Sequence, residues 1–116
     1  MRRAFPFLLL LAGCASTHPV AEKIDMALPD GARVTGGNEK DQGTQFRYEL
    51  QYETDTKAAK LAEFYKAKGM DALVQGESMN AVGSSPKGQL LKIDAKDKAG
   101  THQVTVVAIQ PKDAPR

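Results

Sequence analysis

The most regular pattern in the chain reads Gln45-Phe46-Arg47-Tyr48-Glu49-Leu50-Gln51-Tyr52-Glu53. Four apolar or aromatic side chains alternate with five polar ones over these nine residues. Successive side chains of an extended strand point to opposite faces, so the alternation predicts a β-strand with one buried face and one wet face. Phe46, Tyr48 and Tyr52 would also suit an aromatic binding platform. Because the whole chain has only seven Phe and Tyr and no Trp, we expect them to form core instead.

A helix is predicted directly after this strand. The segment Thr54-Asp55-Thr56 offers N-cap oxygens and an acidic group for the positive end of a helix. Apolar side chains then recur on one stripe, at Ala58, Leu61, Ala62 and Tyr65. Gly69 is the expected stop, because glycine readily adopts the left-handed conformation that ends helices. A helix of about 13 residues is marginal alone in water, so its stripe has to pack on the sheet.

Further strands are expected on both sides of this strand and helix. The candidates are residues 32–35, followed by a glycine-rich loop over 36–43, and then residues 70–77, a loop over 78–87, residues 88–96 and residues 101–109. The last strand is apolar on both faces, which predicts a central position in the sheet. The predicted fold class is therefore α+β, with a single antiparallel β-sheet packed by one helix in the order β-β-α-β-β-β.

The amino-terminal residues have a different character. Arg2 and Arg3 precede an apolar run over residues 4–11, and small residues follow it. A charged start, a short apolar segment and small residues at a cleavage point define a secretory signal. The run is too short to span a bilayer as a helix. An ordinary signal peptide, a twin-arginine export signal, and a buried apolar first strand with a chance cysteine are alternatives for this segment.

The residues Leu11-Ala12-Gly13-Cys14 resemble the lipobox of bacterial lipoproteins and match it at every position. The resemblance implies that a diacylglyceryl group is joined to the Cys14 thiol and that a dedicated peptidase recognises Leu11, Ala12 and Gly13. The peptidase then cuts before Cys14, and the new amino terminus is acylated too. Three acyl chains, at about 0.8 kcal/mol per buried methylene, anchor a protein permanently. Because Ala15 rather than aspartate follows the cysteine, the resemblance also implies transfer to the outer membrane, with the domain facing the periplasm.

Composition divides the chain into four parts. Residues 1–13 are the expected signal peptide, 14–26 a lipidated cysteine and flexible tether, 27–110 the small α+β domain, and 111–116 a disordered tail. Loss of Arg2 and Arg3 lowers the sixteen Lys and Arg to fourteen, which balance the fourteen Asp and Glu. The mature chain is then neutral, so its charge gives no support to a nucleic-acid partner.

Residues 33–109 also resemble small periplasmic lipoprotein domains that are built from one sheet and one helix. In those domains the helix ends in Phe-Tyr, followed by a lysine-rich turn to Gly-Trp. The matching residues here are Phe64, Tyr65, Lys66, Lys68 and Gly69, with Met70 in place of the tryptophan. The resemblance implies the fold and does not identify an activity.

Residues suited to catalysis or metal binding are few. His18 lies in the predicted tether, and His102 is expected to be an ordinary edge or surface histidine. A metal site needs three or four converging ligands, and the single cysteine is assigned to lipid. The segment over residues 83–88 superficially resembles a phosphate loop, but Pro86 removes an amide donor and Gln89 stands where that motif requires lysine. We therefore expect no catalytic residue, no cofactor and no metal.

The function expected from these features is that of a non-catalytic periplasmic binding or envelope-assembly module. Its lipid on Cys14 would hold it on the membrane, and its partner would be a protein, peptide or glycan of the envelope. We expect a monomer. The alternative is a small-ligand carrier or a carboxylate-based envelope enzyme. A pocket lined by Tyr52, Tyr65 and a buried acid would favour the enzyme, whereas a bare sheet edge would favour the binding module.

Overall fold

The computed structural model describes residues 18–112. They begin with a short 3-10 helix, Pro19–Glu22. The elements that follow are β1 (Arg33–Asp41), β2 (Gln45–Thr54), α1 (Ala58–Ala67), β3 (Asp71–Gln75), β4 (Ser78–Ser84), β5 (Leu90–Lys98) and β6 (Thr101–Pro111). The six strands form one sheet in the order β1-β2-β6-β5-β4-β3, and all neighbouring strands are antiparallel. The prediction of a single antiparallel sheet with one helix is confirmed.

The predicted order of elements was wrong in one respect, because four strands rather than three follow the helix. The additional strand is β4, whose residues were expected to belong to a loop over residues 78–87. Met79 and Ala81 of β4 are buried, but serine and glycine around them hide the alternation. Gly83 is needed there because a Cβ at that position would lie 2.9 Å from the Met70 side chain. The pairing of β4 with both β3 and β5 makes it a strand despite its weak local signal.

Strand β1 is longer than predicted and includes two glycines that were expected to lie in a loop. Gly36 and Gly37 pair with β2, and a bulge lies between Val34 and Gly36. A Cβ on Gly37 would lie 3.0 Å from the Glu49 carbonyl oxygen and 3.2 Å from His18 Nδ1. The strand therefore continues through the glycines because β2 supplies hydrogen-bond partners and because His18 packs where a side chain would stand.

The phase of β2 and the buried stripe of α1 are confirmed. Tyr48, Leu50 and Tyr52 of β2 are buried, as are the four predicted residues of the helix. The helix ends before Gly69, which has a φ of +90°. Its start differs from the prediction, because the N-cap is Lys57 and no side chain caps it. The Thr54 hydroxyl instead accepts a hydrogen bond from the Thr56 amide in the connecting turn.

Residues 18–29, here called the strap, pack on the same face of the sheet as α1. Val20 and Ile24 belong to the core, each with 5% of its surface exposed. The buried Gln89 side chain holds the strap at two points: its Oε1 accepts from the Asp25 amide at 2.8 Å, and its Nε2 donates to the Lys23 carbonyl at 2.7 Å. The predicted boundary at residue 27 was therefore too late, since the domain includes residues 18–26. The helix leaves part of the sheet uncovered, and the strap fills that space.

Candidate functional site: the open face and free edge of the sheet

The face of the sheet opposite α1 and the strap is here called the open face. The strand register places every second residue of a strand on this face. These residues include Arg47, Glu49, Gln51, Leu73, Asn80, Val82, Leu90, Lys92, Asp94, Thr105, Val107 and Ile109. This face carries the side chains that the alternation of β2 predicted to be wet. It also carries several that are apolar.

The polar residues of the open face are linked to one another. On β2, Glu49 accepts hydrogen bonds from Arg47 Nη1 at 2.8 Å and from Gln51 Nε2 at 2.6 Å. Between β4 and β5, the Asn80 amide donates to the Asp94 carboxylate. These bonds run along and between strands. The polar groups therefore bond to each other and do not converge to form a ligand site.

The apolar residues of the open face lie mainly on β3, β4 and β5. Leu73 is 59% exposed, Val82 49% and Leu90 57%. On β6, the half-buried Ile109 stands opposite Leu90, and the half-buried Val107 stands opposite Lys92. Exposed large apolar side chains that cluster on one part of a surface indicate an interaction site. The sequence signal for one of them was the pair Leu90-Leu91, because adjacent leucines in a strand cannot both face the core.

The two edges of the sheet differ in how well they are protected. Edge strand β1 carries a bulge and ends in three charged residues, Glu39, Lys40 and Asp41, and such features discourage pairing with another chain. Edge strand β3 has neither a bulge nor a proline nor a lysine. Its Leu73 and Val74 are 59% and 38% exposed, one on each side of the sheet. Of the two edges, β3 is the one open to strand addition.

The backbone of β3 presents hydrogen-bonding groups at this edge. Gln75 pairs with Ser78 across a two-residue turn in which Gly76 has a φ of +63°. The pair that closes such a turn exchanges both of its hydrogen bonds, and bonded pairs then alternate along the ladder. Leu73 therefore bonds to β4, whereas Ala72 and Val74 turn their N–H and C=O groups away from the sheet.

The pair Tyr52 and Tyr65 is buried between sheet and helix. Both side chains are 0% exposed, and their hydroxyl oxygens lie 2.6 Å apart. Burial raises the pKa of Tyr65 to about 12, and burial together with the neighbouring Tyr65 raises the pKa of Tyr52. Among residues 18–112 the hydrogen bonds of these hydroxyls join them only to each other and to no carboxylate. The arrangement that would have favoured a carboxylate-based enzyme is therefore not formed by this pair.

His102 was expected at an edge or on the surface, but it lies on the core side of the inner strand β6, and only 2% of it is exposed. Its Nε2 is 2.9 Å from the Glu77 carbonyl oxygen, a bond that joins β6 to the β3–β4 turn. Its Nδ1 has no hydrogen-bond partner among the described residues. Burial and the carbonyl bond give His102 a structural role in fastening this turn.

The segment that superficially resembles a phosphate loop forms a tight turn. The Ser85 hydroxyl accepts from the Gln89 amide at 3.0 Å, and the Gly88 amide donates to the Ser85 carbonyl at 3.0 Å. The Lys87 amide donates to the Asp25 carboxylate of the strap at 2.9 Å. The Ser85, Lys87 and Gly88 amides, which a phosphate loop would use to hold a phosphate, are therefore bonded within the protein.

A small depression lies on the open face beside the bulge of β1, with a volume of about 140 Å³. It is lined by Thr35, Gln51, Tyr52, Gln103, Val104 and Thr105. Pockets for small organic ligands are usually about 300–1,000 Å³, so this one is small for such a role. Within residues 18–112, no three His, Cys, Asp or Glu side chains are grouped closely enough to hold a metal ion. The same range contains no helix with the length and apolarity needed to cross a membrane.

The residues predicted to be lipidated and recognised by the peptidase, Cys14 with Leu11, Ala12 and Gly13, lie outside the described residues, and their assignment stays a prediction. Comparison with known proteins gave no family to which the chain could be assigned: no family model matches it, and neither a curated protein nor a solved structure is significantly similar to it.

Proposed function

We propose that this chain is a lipid-anchored protein of the bacterial envelope whose domain binds a partner and performs no catalysis. The observation that carries the binding role is the exposure of Leu73, Val82 and Leu90 on the one sheet face that neither α1 nor the strap covers. Burying such residues is the main source of binding free energy for a small domain. The resemblance of residues 11–14 to a lipobox supports the anchor, and Ala15 supports the outer membrane as its place.

The packing of the strap bears on where the partner is found. His18 already contacts the sheet, so only Ala15, Ser16 and Thr17 separate it from the lipidated Cys14. Four Cα-to-Cα steps of at most about 3.6 Å give a reach of roughly 14 Å. A domain on such a short connection stays beside the headgroups. The partner of this proposal is therefore an envelope protein, peptide or glycan close to the same membrane.

The anchor is tested by intact-mass measurement and membrane fractionation of the whole chain in its host. The wild-type protein should begin at Cys14, carry a lipid-sized mass increment and sediment with membranes. Cys14→Ser should lose both the increment and the membrane association, whereas the neighbouring change Ala15→Ser should keep them. A wild-type mature protein that starts elsewhere or carries no lipid would refute the proposal.

The absence of catalysis is tested by complementation of a deletion strain. His102→Gln keeps an amide nitrogen near the position of the imidazole Nε2, so it preserves the bond to the Glu77 carbonyl better than alanine would. It should therefore support full function at equal protein levels, while Cys14→Ser should impair function even when the domain is exported and folded. Full function without the anchor, together with loss in His102→Gln, would reverse the proposal.

A further inference from the structure

We propose that the free edge of β3 pairs with β3 of a second copy of this chain, so that two six-stranded sheets join into one. The pairing is antiparallel and centred on Leu73. It goes beyond the proposed function, since it names the second copy as an occupant of the unprotected edge. The expectation of a monomer, which came from the sequence, is replaced by this proposal.

The backbone of β3 suits this register. With Leu73 opposite its equivalent, Ala72 stands opposite Val74 of the second copy, and Val74 opposite the other Ala72. These are the two residues whose N–H and C=O groups point away from β4, so each pair exchanges two hydrogen bonds. Both copies contribute the same edge, which is the self-complementary contact of a two-fold symmetric dimer.

The side chains suit it as well. Leu73, at 59% exposure the most exposed large apolar residue of the described chain, meets its own copy. It does so in a pair without hydrogen bonds, where side chains of opposite strands come closest. Asp71 stands opposite Gln75 of the second copy, so that a carboxylate faces an amide donor and no like charges are opposed. Polar or charged residues thus flank an apolar centre.

The symmetry is compatible with a membrane anchor. The two-fold axis of an antiparallel pair within one sheet is perpendicular to that sheet, so α1 and the strap of both copies lie on the same side. This step rests on the proposed function: both straps then lead toward one membrane. Five residues make a small contact compared with the roughly 800 Å² per partner of stable interfaces. Confinement on a membrane compensates, because it raises the effective concentration of one copy around another.

Disulfide trapping of the whole chain in host membranes tests the pairing. In an antiparallel pair without hydrogen bonds, the Cα atoms of the two opposite residues are about 4.5 Å apart. A disulfide can bridge this distance. Leu73→Cys should give a species of twice the mass on non-reducing gels after mild oxidation. Leu90→Cys is the matched control, since Leu90 is 57% exposed on the same face but lies on inner strand β5. We expect about tenfold more dimer from Leu73→Cys, because only that thiol pair has bonding geometry.

No dimer from Leu73→Cys, equal dimer from both variants, or a disulfide to a different protein would overturn the proposal. Failure of the lipid anchor is recognised separately, since the wild-type chain would then be missing from the membrane fraction. In that case the same two variants are compared as purified residues 15–116, which include every residue of the core and lack Cys14. The same difference between Leu73→Cys and Leu90→Cys decides the pairing there at high protein concentration.

Discussion

The buried hydroxyl pair of Tyr52 and Tyr65 makes a sharp prediction about stability. Each hydroxyl is the hydrogen-bond partner of the other at 2.6 Å, and both side chains are fully buried. Tyr65→Phe removes one hydroxyl and leaves that of Tyr52 in the core without its partner. Leaving a buried polar group unsatisfied costs about 1–3 kcal/mol, so we expect this loss from either single substitution.

The double variant Tyr52→Phe/Tyr65→Phe should behave differently from the sum of its parts. It removes both hydroxyls, and replacing both partners by apolar groups of the same shape is nearly neutral. Independent effects would add to about 2–6 kcal/mol, whereas we expect a loss of less than about 1 kcal/mol. The double-mutant cycle should therefore give a coupling free energy larger than either single effect.

Urea unfolding of residues 15–116, followed by far-ultraviolet circular dichroism, measures these values, since the chain has no Trp to report fluorescence. With a slope of about 1–2 kcal/mol per molar urea, a single substitution should lower the midpoint by about 1 M. Tyr48→Phe is the control, because its hydroxyl bonds no other residue of the range 18–112. Strictly additive losses in the double variant would show that the two hydroxyls do not depend on each other, and would refute the reasoning.

Three further predictions concern pH, a turn and the strap. Burial raises the pKa of Tyr65 to about 12 and raises that of Tyr52 as well, whereas unfolded tyrosine ionises near pH 10. Because the unfolded chain loses these protons first, the contribution of the pair to the free energy of unfolding is complete below about pH 10 and is lost as the pH rises above it. Urea melts from about pH 8 to about pH 11 should show this fall in stability, and a flat profile would contradict it. Ala99 has a φ of +54° in the turn between β5 and β6. Ala99→Gly should therefore raise the free energy of unfolding by about 0.5 kcal/mol and the melting temperature by about 2–4 °C, and an unchanged or lower melting temperature would argue against strain there. Gln89→Ala should cost about 1–3 kcal/mol and increase hydrogen exchange in the strap, because it leaves the Lys23 carbonyl and the Asp25 amide without partners. The exposed Gln103→Ala should cost less than about 0.5 kcal/mol, and equal losses from both changes would mean that the two hydrogen bonds of Gln89 do not stabilise the strap.

The candidate site could be anticipated only in part from the residues. Residues 70–77 were predicted to form a strand, and because successive side chains of a strand point to opposite faces, Leu73 and Val74 must lie on different faces. Whether Leu73 is covered depends on which strand lies beside β3, and that follows from the order of strands across the whole sheet. His102 is a second residue whose burial could not be predicted from the sequence alone. It was expected on the surface, but the β3–β4 turn folds over it and supplies the carbonyl oxygen of Glu77.

Local pattern alone determined the elements whose burial repeats with their own geometry. The two-residue alternation of β2, the helical stripe that ends at Gly69 and the doubly apolar β6 all encode which faces are buried, so they could be read without knowing any neighbour. Tertiary structure decided the elements whose stability comes from distant partners. Strand β4 forms because β3 and β5 supply hydrogen-bond partners for its backbone, and β1 continues through Gly36 and Gly37 because β2 supplies partners in the same way. The strap is held in place by hydrogen bonds to the Gln89 side chain and by packing on the part of the core that α1 leaves uncovered. Hydrogen bonds and burial between residues far apart in the chain leave little trace in local sequence, which is why these features emerged only with the fold.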